Sequence, residues 1–315
     1  MNIRLLTATI FSFFFAFQAH AQDPQFSQFY NSPLQLNPAN TGVFPGQWRA
    51  VANYRQQWNS ILNTRPFRTV SASFDMKVPV GRDDFFAFGV SALRDEAGKS
   101  NYTRSTVDLS ASYMKQLGGG RGSVDQFLVG GAQVGFGQHS IEPDALWFSN
   151  QFDIDLEQVN QALSNGENLN TSSDLYTNIN VGLLWYAVFD DNQSFYVGGA
   201  LQHVNEPSVS FIANGGTIPT DMKVTGHLGG EIPLTKRLSL LPAVAVINQG
   251  ASMISLYGAN LRITNRDWKE LAIRAGAWGH LVKDINGGFA TPAVTFTGIL
   301  EVERWNVGIL SLIHI

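Results

Sequence analysis

Cysteine is absent from all 315 residues. That excludes disulfides, zinc–thiolate sites, iron–sulfur clusters and thiol nucleophiles. Charge is scarce: Asp, Glu, Lys and Arg together make up 15 % of the chain, against about 25 % in an average soluble protein. The 21 basic and 25 acidic residues leave a net charge of −4 without a long basic run, so no nucleic-acid partner is read from the composition. Apolar runs are short too. Beyond residue 17 no stretch approaches the ~20 continuous apolar residues of a membrane helix, and a membrane crossing, if there is one, must be made by strands. What fills these gaps is Asn (23), Gln (18), Gly (30) and 12 % aromatics, among them 22 Phe and 7 Trp. Such a composition is neither disordered nor that of a helical bundle.

The first 21 residues read as a signal peptide. Arg4 supplies a positive start, Leu5 to Phe17 forms a 13-residue apolar stretch, and Ala19-His20-Ala21 has the A-x-A form of a cleavage site. The mature chain is expected to begin at Gln22.

From there the sequence alternates with a period of two. Val70, Ala72, Phe74 and Met76 oppose Thr69, Ser71, Ser73 and Asp75. Val107, Leu109, Ala111 and Tyr113 oppose Thr106, Asp108, Ser110 and Ser112, and Ile179 to Phe189 carries one unbroken apolar face. Alternation of this kind places successive side chains on opposite faces of a sheet. About thirteen such segments run from residue 48 to residue 310. A soluble sandwich would bury the apolar face; a membrane barrel turns it to lipid and keeps the polar face inside. Three features favour an all-β, antiparallel transmembrane β-barrel. The polar faces carry Asn, Ser, Thr, Gln and Gly more than Lys and Glu. Many segments are near ten residues long, as tilted membrane strands require. Trp48, Trp58, Trp147, Trp185, Trp268 and Trp305 fall toward segment ends, as interfacial girdles do. On this reading an arginine at outward Val181 costs more than one at inward Ser110.

Gly118 to Gly122 is expected to be a tight turn rather than a phosphate cradle, because a strand follows it and not a helix. The longest break in alternation, 141–172, is expected to be an ordered loop. It should contain one short helix with Leu156, Val159 and Leu163 on one face and Gly166 as its stop. No catalytic, cofactor or metal constellation is found. The six histidines lack metal-ligand spacing, and no nucleophile elbow occurs. The chain is read as non-enzymatic and without cofactors.

The stretch QDPQFSQFYNSPLQLNPANTG, residues 22–42, resembles the start of the PorP/SprF family of Bacteroidota outer-membrane proteins. NYRQQWNSI (53–61), PFRTVSASFD (66–75), RDEAG (94–98) and SFYVGGALQHVNEPS (194–208) extend the similarity to about Gly308. The resemblance implies a barrel of roughly fourteen strands in the outer membrane, a part of type IX secretion and gliding machinery without catalysis. It also implies partners: secreted proteins held at the cell surface through their C-terminal domains, and periplasmic peptidoglycan-associated components. A general porin or hydrophobic-substrate barrel is the alternative, and a carbohydrate-binding sandwich a more distant one. The tail LSLIHI does not resemble a closing family strand, so the native gene is expected to continue past about Gly308.

Segment 22–45 is read as an extended piece packed inside the barrel or across its periplasmic mouth, ahead of a barrel domain over 46–315. Pro24, Pro33 and Pro38 exclude a helix there, while Asn37-Pro38 forms turns. Phe26, Phe29, Tyr30, Leu34 and Leu36 need cover from water. In the long loop, Leu146, Trp147, Phe148 and Phe152 are candidate partner anchors, with packing onto the barrel wall as the other reading.

Overall fold

The computed structural model describes residues 23–58, 66–120, 123–155, 157–160, 162–164, 166, 169–190, 192–212, 219–264, 271–283 and 288–314. The signal-peptide reading, Leu156 and Trp268 lie outside them.

The strands are β1 (Trp48–Gln57), β2 (Phe67–Val80), β3 (Asp84–Ala97), β4 (Tyr102–Gly120) and β5 (Ser123–Ser140). After the two-residue strands β6 (Phe152–Asp153) and β7 (Gln158–Val159) come β8 (Tyr176–Asp190), β9 (Gln193–Gln202), β10 (Lys223–Thr235) and β11 (Leu238–Gln249). The chain closes with β12 (Ser252–Thr264), β13 (Leu271–Lys283), β14 (Phe289–Val302) and β15 (Trp305–His314). Strands β6 and β7 pair only with each other, and the other thirteen form one antiparallel sheet in chain order. The outer two strands approach at one end, where Trp58 Nε1 donates to His314 Nε2 at 3.1 Å.

Alternation becomes burial with the inverted sense of a membrane barrel. On β2, Thr69, Ser71 and Asp75 are buried while Val70, Phe74 and Met76 are exposed; β4, β8 and β10 repeat the pattern. No described helix is long and apolar enough to cross a membrane. The chain is an all-β antiparallel transmembrane barrel. All thirteen segments read from alternation are strands. Pro233 and Pro292 fall where the ladder slips, between β10 and β11 and between β13 and β14, the places that tolerate a residue without an N–H.

Three local expectations are corrected. Of the turn expected over Gly118 to Gly122, Gly118, Gly119 and Gly120 belong to β4, at a register slip against β5 that glycine accommodates, and Arg121 and Gly122 lie outside the described residues. The described part of the expected helix near 155–163 is turn and strand. Asp153 Oδ1 accepts the Asp155 N–H at 3.0 Å, Asn160 Oδ1 the Ala162 N–H at 3.1 Å, and Ser164 Oγ the Gly166 N–H at 3.3 Å. These local bonds hold the backbone in turns at the expense of helix. Prolines do not exclude helical structure near the N-terminus either. Pro33 begins a single α-turn (Pro33–Leu36) and Pro38 a 3-10 turn (Pro38–Asn40), both at the first position, where no N–H is required.

The two ends of the barrel differ. One carries the short connections 81–83, 121–122, 191–192, 236–237, 265–270 and 303–304. The other carries the long ones, 141–175 and 203–222, together with 58–66, 98–101, 250–251 and 284–288.

Candidate functional site

Residues 23–47 run through the lumen from the long-loop end to the short-turn end, where β1 begins. At the top, Asp23 is held by residues at the ends of four strands, β4, β9, β10 and β11. Lys223 Nζ donates to its Oδ2 at 2.7 Å, His203 Nε2 lies 2.8 Å from the same oxygen, and Arg104 pairs with Oδ1. Gln249 bonds both the Asp23 N–H (2.9 Å) and Oδ1 (3.3 Å). Burial alone would raise the Asp23 pKa, but Arg104, Lys223 and the His203 contact overcome it and hold the carboxyl well below its usual range. Beside this cluster a cavity of ≈ 80 Å³ is lined by Asp23, Phe26, Arg104, Gln133 and Gln202. There Arg104 Nε, Gln133 Nε2 and Gln202 Oε1 have no protein partner among the described residues, a polar setting suited to bound water.

Lower down, Phe29 and Leu36 are buried with Ala243, Ala245, Leu256 and Trp278. The Phe29 and Trp278 rings meet edge-on at 5.7 Å, and Tyr30 lies 5.0 Å from Trp278. Leu34 is fully buried. Asn37 is the centre of the next layer. Its Nδ2 donates to the carbonyls of Leu183 (3.1 Å) and Gly199 (3.2 Å) and lies 3.0 Å from His227 Nε2; its Oδ1 accepts the Ala39 N–H at 2.8 Å. Pro38 is buried beside Ala39, which packs with Met114, Val129 and Leu184. Near the bottom, Asp75 accepts the Gly42 N–H at 2.8 Å and two bonds from Arg49, at 3.0 and 2.7 Å.

The wall is cut to this segment. A Cβ at Gly131 would lie 2.4 Å from Ala39 N, one at Gly182 would lie 1.9 Å from Asn37 Oδ1, and one at Gly89 would lie 2.9 Å from Leu34 Cδ2. Of the seven residues singled out for packing, Phe29, Leu34, Leu36, Asn37 and Pro38 are buried and Phe26 and Tyr30 partly so. All seven lie inside the sheet.

At the long-loop end, 141–175 and 203–222 are joined. Asn170 N–H donates to Phe211 O at 2.7 Å, and Leu169 bridges Ile212. Trp147 and Phe152 are exposed, whereas Leu146 and Phe148 are half-buried. The four proposed anchors are thus split into two that are exposed and two that are half-buried.

Residues 18–309 match the profile described as type IX secretion system membrane protein PorP/SprF. The chain belongs to the PorP/SprF family. It is therefore a membrane component of the type IX secretion system. No curated protein matches it in sequence.

Within this PorP/SprF chain, the family-like opening stretch 22–42 coincides with the lumen segment, apart from Gln22, which lies outside the described residues. Sequence reasoning missed Asp23 as a charge hub, Trp278 as the aromatic floor under Phe29, and Ile154, the most exposed large apolar side chain among the described residues of the long loop. Asp23 carried a signal: it is the lone acidic residue between Ala21 and Arg49, in a stretch otherwise rich in apolar and amide side chains. Trp278 carried none, because a Trp on a strand reads equally well as lipid-facing.

Proposed function

We propose that this barrel is a non-enzymatic outer-membrane component of type IX secretion and gliding machinery. It supports secretion or surface attachment of exported proteins through their C-terminal domains. Residues 1–21 direct export and are removed. In the membrane the long-loop end faces outward and the short-turn end faces the periplasm, following the loop asymmetry of bacterial barrels. There the short turns meet peptidoglycan-associated components.

The observation that carries this reading is the filled lumen. A conduit needs a continuous polar path, and segment 23–47 occupies it with Phe29, Leu34, Leu36, Asn37 and Pro38 buried against the wall. A barrel without an open path acts through its surfaces. The test is deletion of residues 145–152. Surface retention of an exported protein should be lost while the barrel still inserts, and the intact barrel in a planar bilayer should not conduct steadily. Retention after the deletion, together with steady conductance, would replace this reading with a porin.

A further inference from the structure

We propose that the described residues of loops 141–175 and 203–222 form one pre-ordered, acidic and apolar platform whose occupant is a protein face with an apolar centre and a lysine- and arginine-rich surround. This deepens the attachment reading above and rests on it.

The platform is built before anything binds. Besides the Asn170–Phe211 bond, Ile141 N–H donates to Thr171 O at 2.9 Å, Ser173 N–H to His139 O at 2.8 Å, and Asn160 N–H to Gln151 O at 2.8 Å. Gln151 Nε2 then donates to Leu163 O at 3.0 Å, and Ser208 bridges Pro219 within the second loop. A surface already held in shape loses little entropy on binding. On it, Trp147 is 58 % exposed, Ile154 82 % and Ile212 49 %. Such side chains are the usual anchors of an interface centre.

Charge selects the occupant. Residues 141–175 contain seven acidic residues and 203–222 two, nine in all, with no lysine or arginine in either loop. The four other connections at this end, 58–66, 98–101, 250–251 and 284–288, add one acidic and two basic residues, whereas the connections at the opposite end contain seven basic and five acidic residues. The whole chain carries only −4, so the negative charge is concentrated at one end. Eight of these carboxylates, all but Glu167, are among the described residues; on the same loops as the exposed apolar groups, they repel acidic proteins and anionic lipid headgroups and steer a cationic face inward. Attraction of this kind is screened beyond about 8–10 Å at ordinary salt, which makes it readable.

The experiment uses the full chain in nanodiscs and two purified type IX C-terminal domains, one of basic and one of acidic net charge, as probes. The basic domain should bind, with affinity falling about tenfold or more between 50 and 300 mM salt, as steered interfaces do. The acidic domain should not. The variant D144N/D153N/D155N/E157Q should flatten the salt response; the introduced amides keep an acceptor where Asp153 holds the Asp155 N–H. If that variant fails to fold, the salt series on the unaltered chain decides alone. Binding of the basic domain that ignores salt, or equal binding of both domains, would overturn the charge argument and leave the attachment reading standing. Binding of neither domain would overturn both. Binding to anionic phosphatidylglycerol vesicles in place of the basic domain would also overturn the proposal.

Discussion

The inner and outer faces of this sheet are made from the same strands and obey opposite rules. Inside, Thr69, Ser71, Asp75, Asn178, Asn180 and His227 are buried and polar. Many of these inward groups meet named partners across the lumen, on the N-terminal segment or on a neighbouring strand. Outside, Val70, Val107, Leu183 and Leu228 are exposed and apolar, and lipid asks of them only that they be apolar and of reasonable size. Specificity is therefore concentrated on one face. A substitution inside tests a fitted contact, and one outside tests a solvent.

The largest break in that contrast is expected at Asp23. Replacing it with Ala leaves Arg104 and Lys223 buried without their counter-charge, a loss that costs about 3–5 kcal/mol in buried pairs. The chain has no cysteine, so Phe26→Cys is a unique reporter: its thiol should be slow to label in the parent and fast when Asp23→Ala is added. The pH dependence has a definite sign. The folded pKa of Asp23 is depressed, so its stabilisation is complete above the unfolded value of about 3.9 and is lost only as pH falls through the lower, folded value. Read with a pyridyl disulfide, which still reacts with thiols in acid, and normalised to a free thiol at each pH because thiolate is lost as pH falls, labelling should stay slow from pH 7 to pH 4 and rise below that. A rise between pH 7 and pH 5 would assign the control to another group.

Next comes the arginine pair. Val181→Arg faces lipid and should cost about 2–4 kcal/mol near the midplane, read as impaired refolding into bilayers. The sequence reading made inward Ser110 the tolerant partner. The fitted lumen removes that tolerance. Ser110 is only 5 % exposed, and a Cβ on neighbouring Gly89 would meet both Ser110 Oγ and Leu34. Ser110→Arg should therefore also be costly, by a different route. It should speed labelling at Phe26→Cys, which Val181→Arg should leave unchanged.

Strands were legible because a period of two survives whichever face is buried. The composition of the polar face, amides and hydroxyls in place of lysine and glutamate, told lipid from water. The need for cover over Phe29, Leu34 and Leu36 was legible from their aromatic and aliphatic bulk. The path of the segment was not, because it depends on pairs more than a hundred residues apart, such as Asp23 with Lys223 and Asn37 with Leu183. No local pattern encodes them. The long loop misled for a related reason: Leu156, Val159 and Leu163 have helical spacing, yet Asp153, Asn160 and Ser164 bind their own backbone and hold it in turns.

The sharpest form of the comparison is one substitution made on both faces. At Gly131 a Cβ would lie 2.4 Å from Ala39 N and 2.5 Å from Pro38 C. Those are backbone atoms of a turn fixed by Asn37, and they cannot rotate away. Gly131→Ala should cost about 1–3 kcal/mol, the usual range for overpacking, and should speed labelling at Phe26→Cys. At Gly226 an added Cβ meets nothing within 4 Å. The residue sits in β10 between buried Thr225 and His227, so its own position faces outward. Glycine inside a strand has excess chain entropy to lose and no side chain to pack. Gly226→Ala should thus leave the melting temperature unchanged or raise it slightly, with labelling unaltered. A destabilisation at Gly226 equal to that at Gly131 would mean that the outer face carries a fitted contact of its own, and the division between the two faces would fail there.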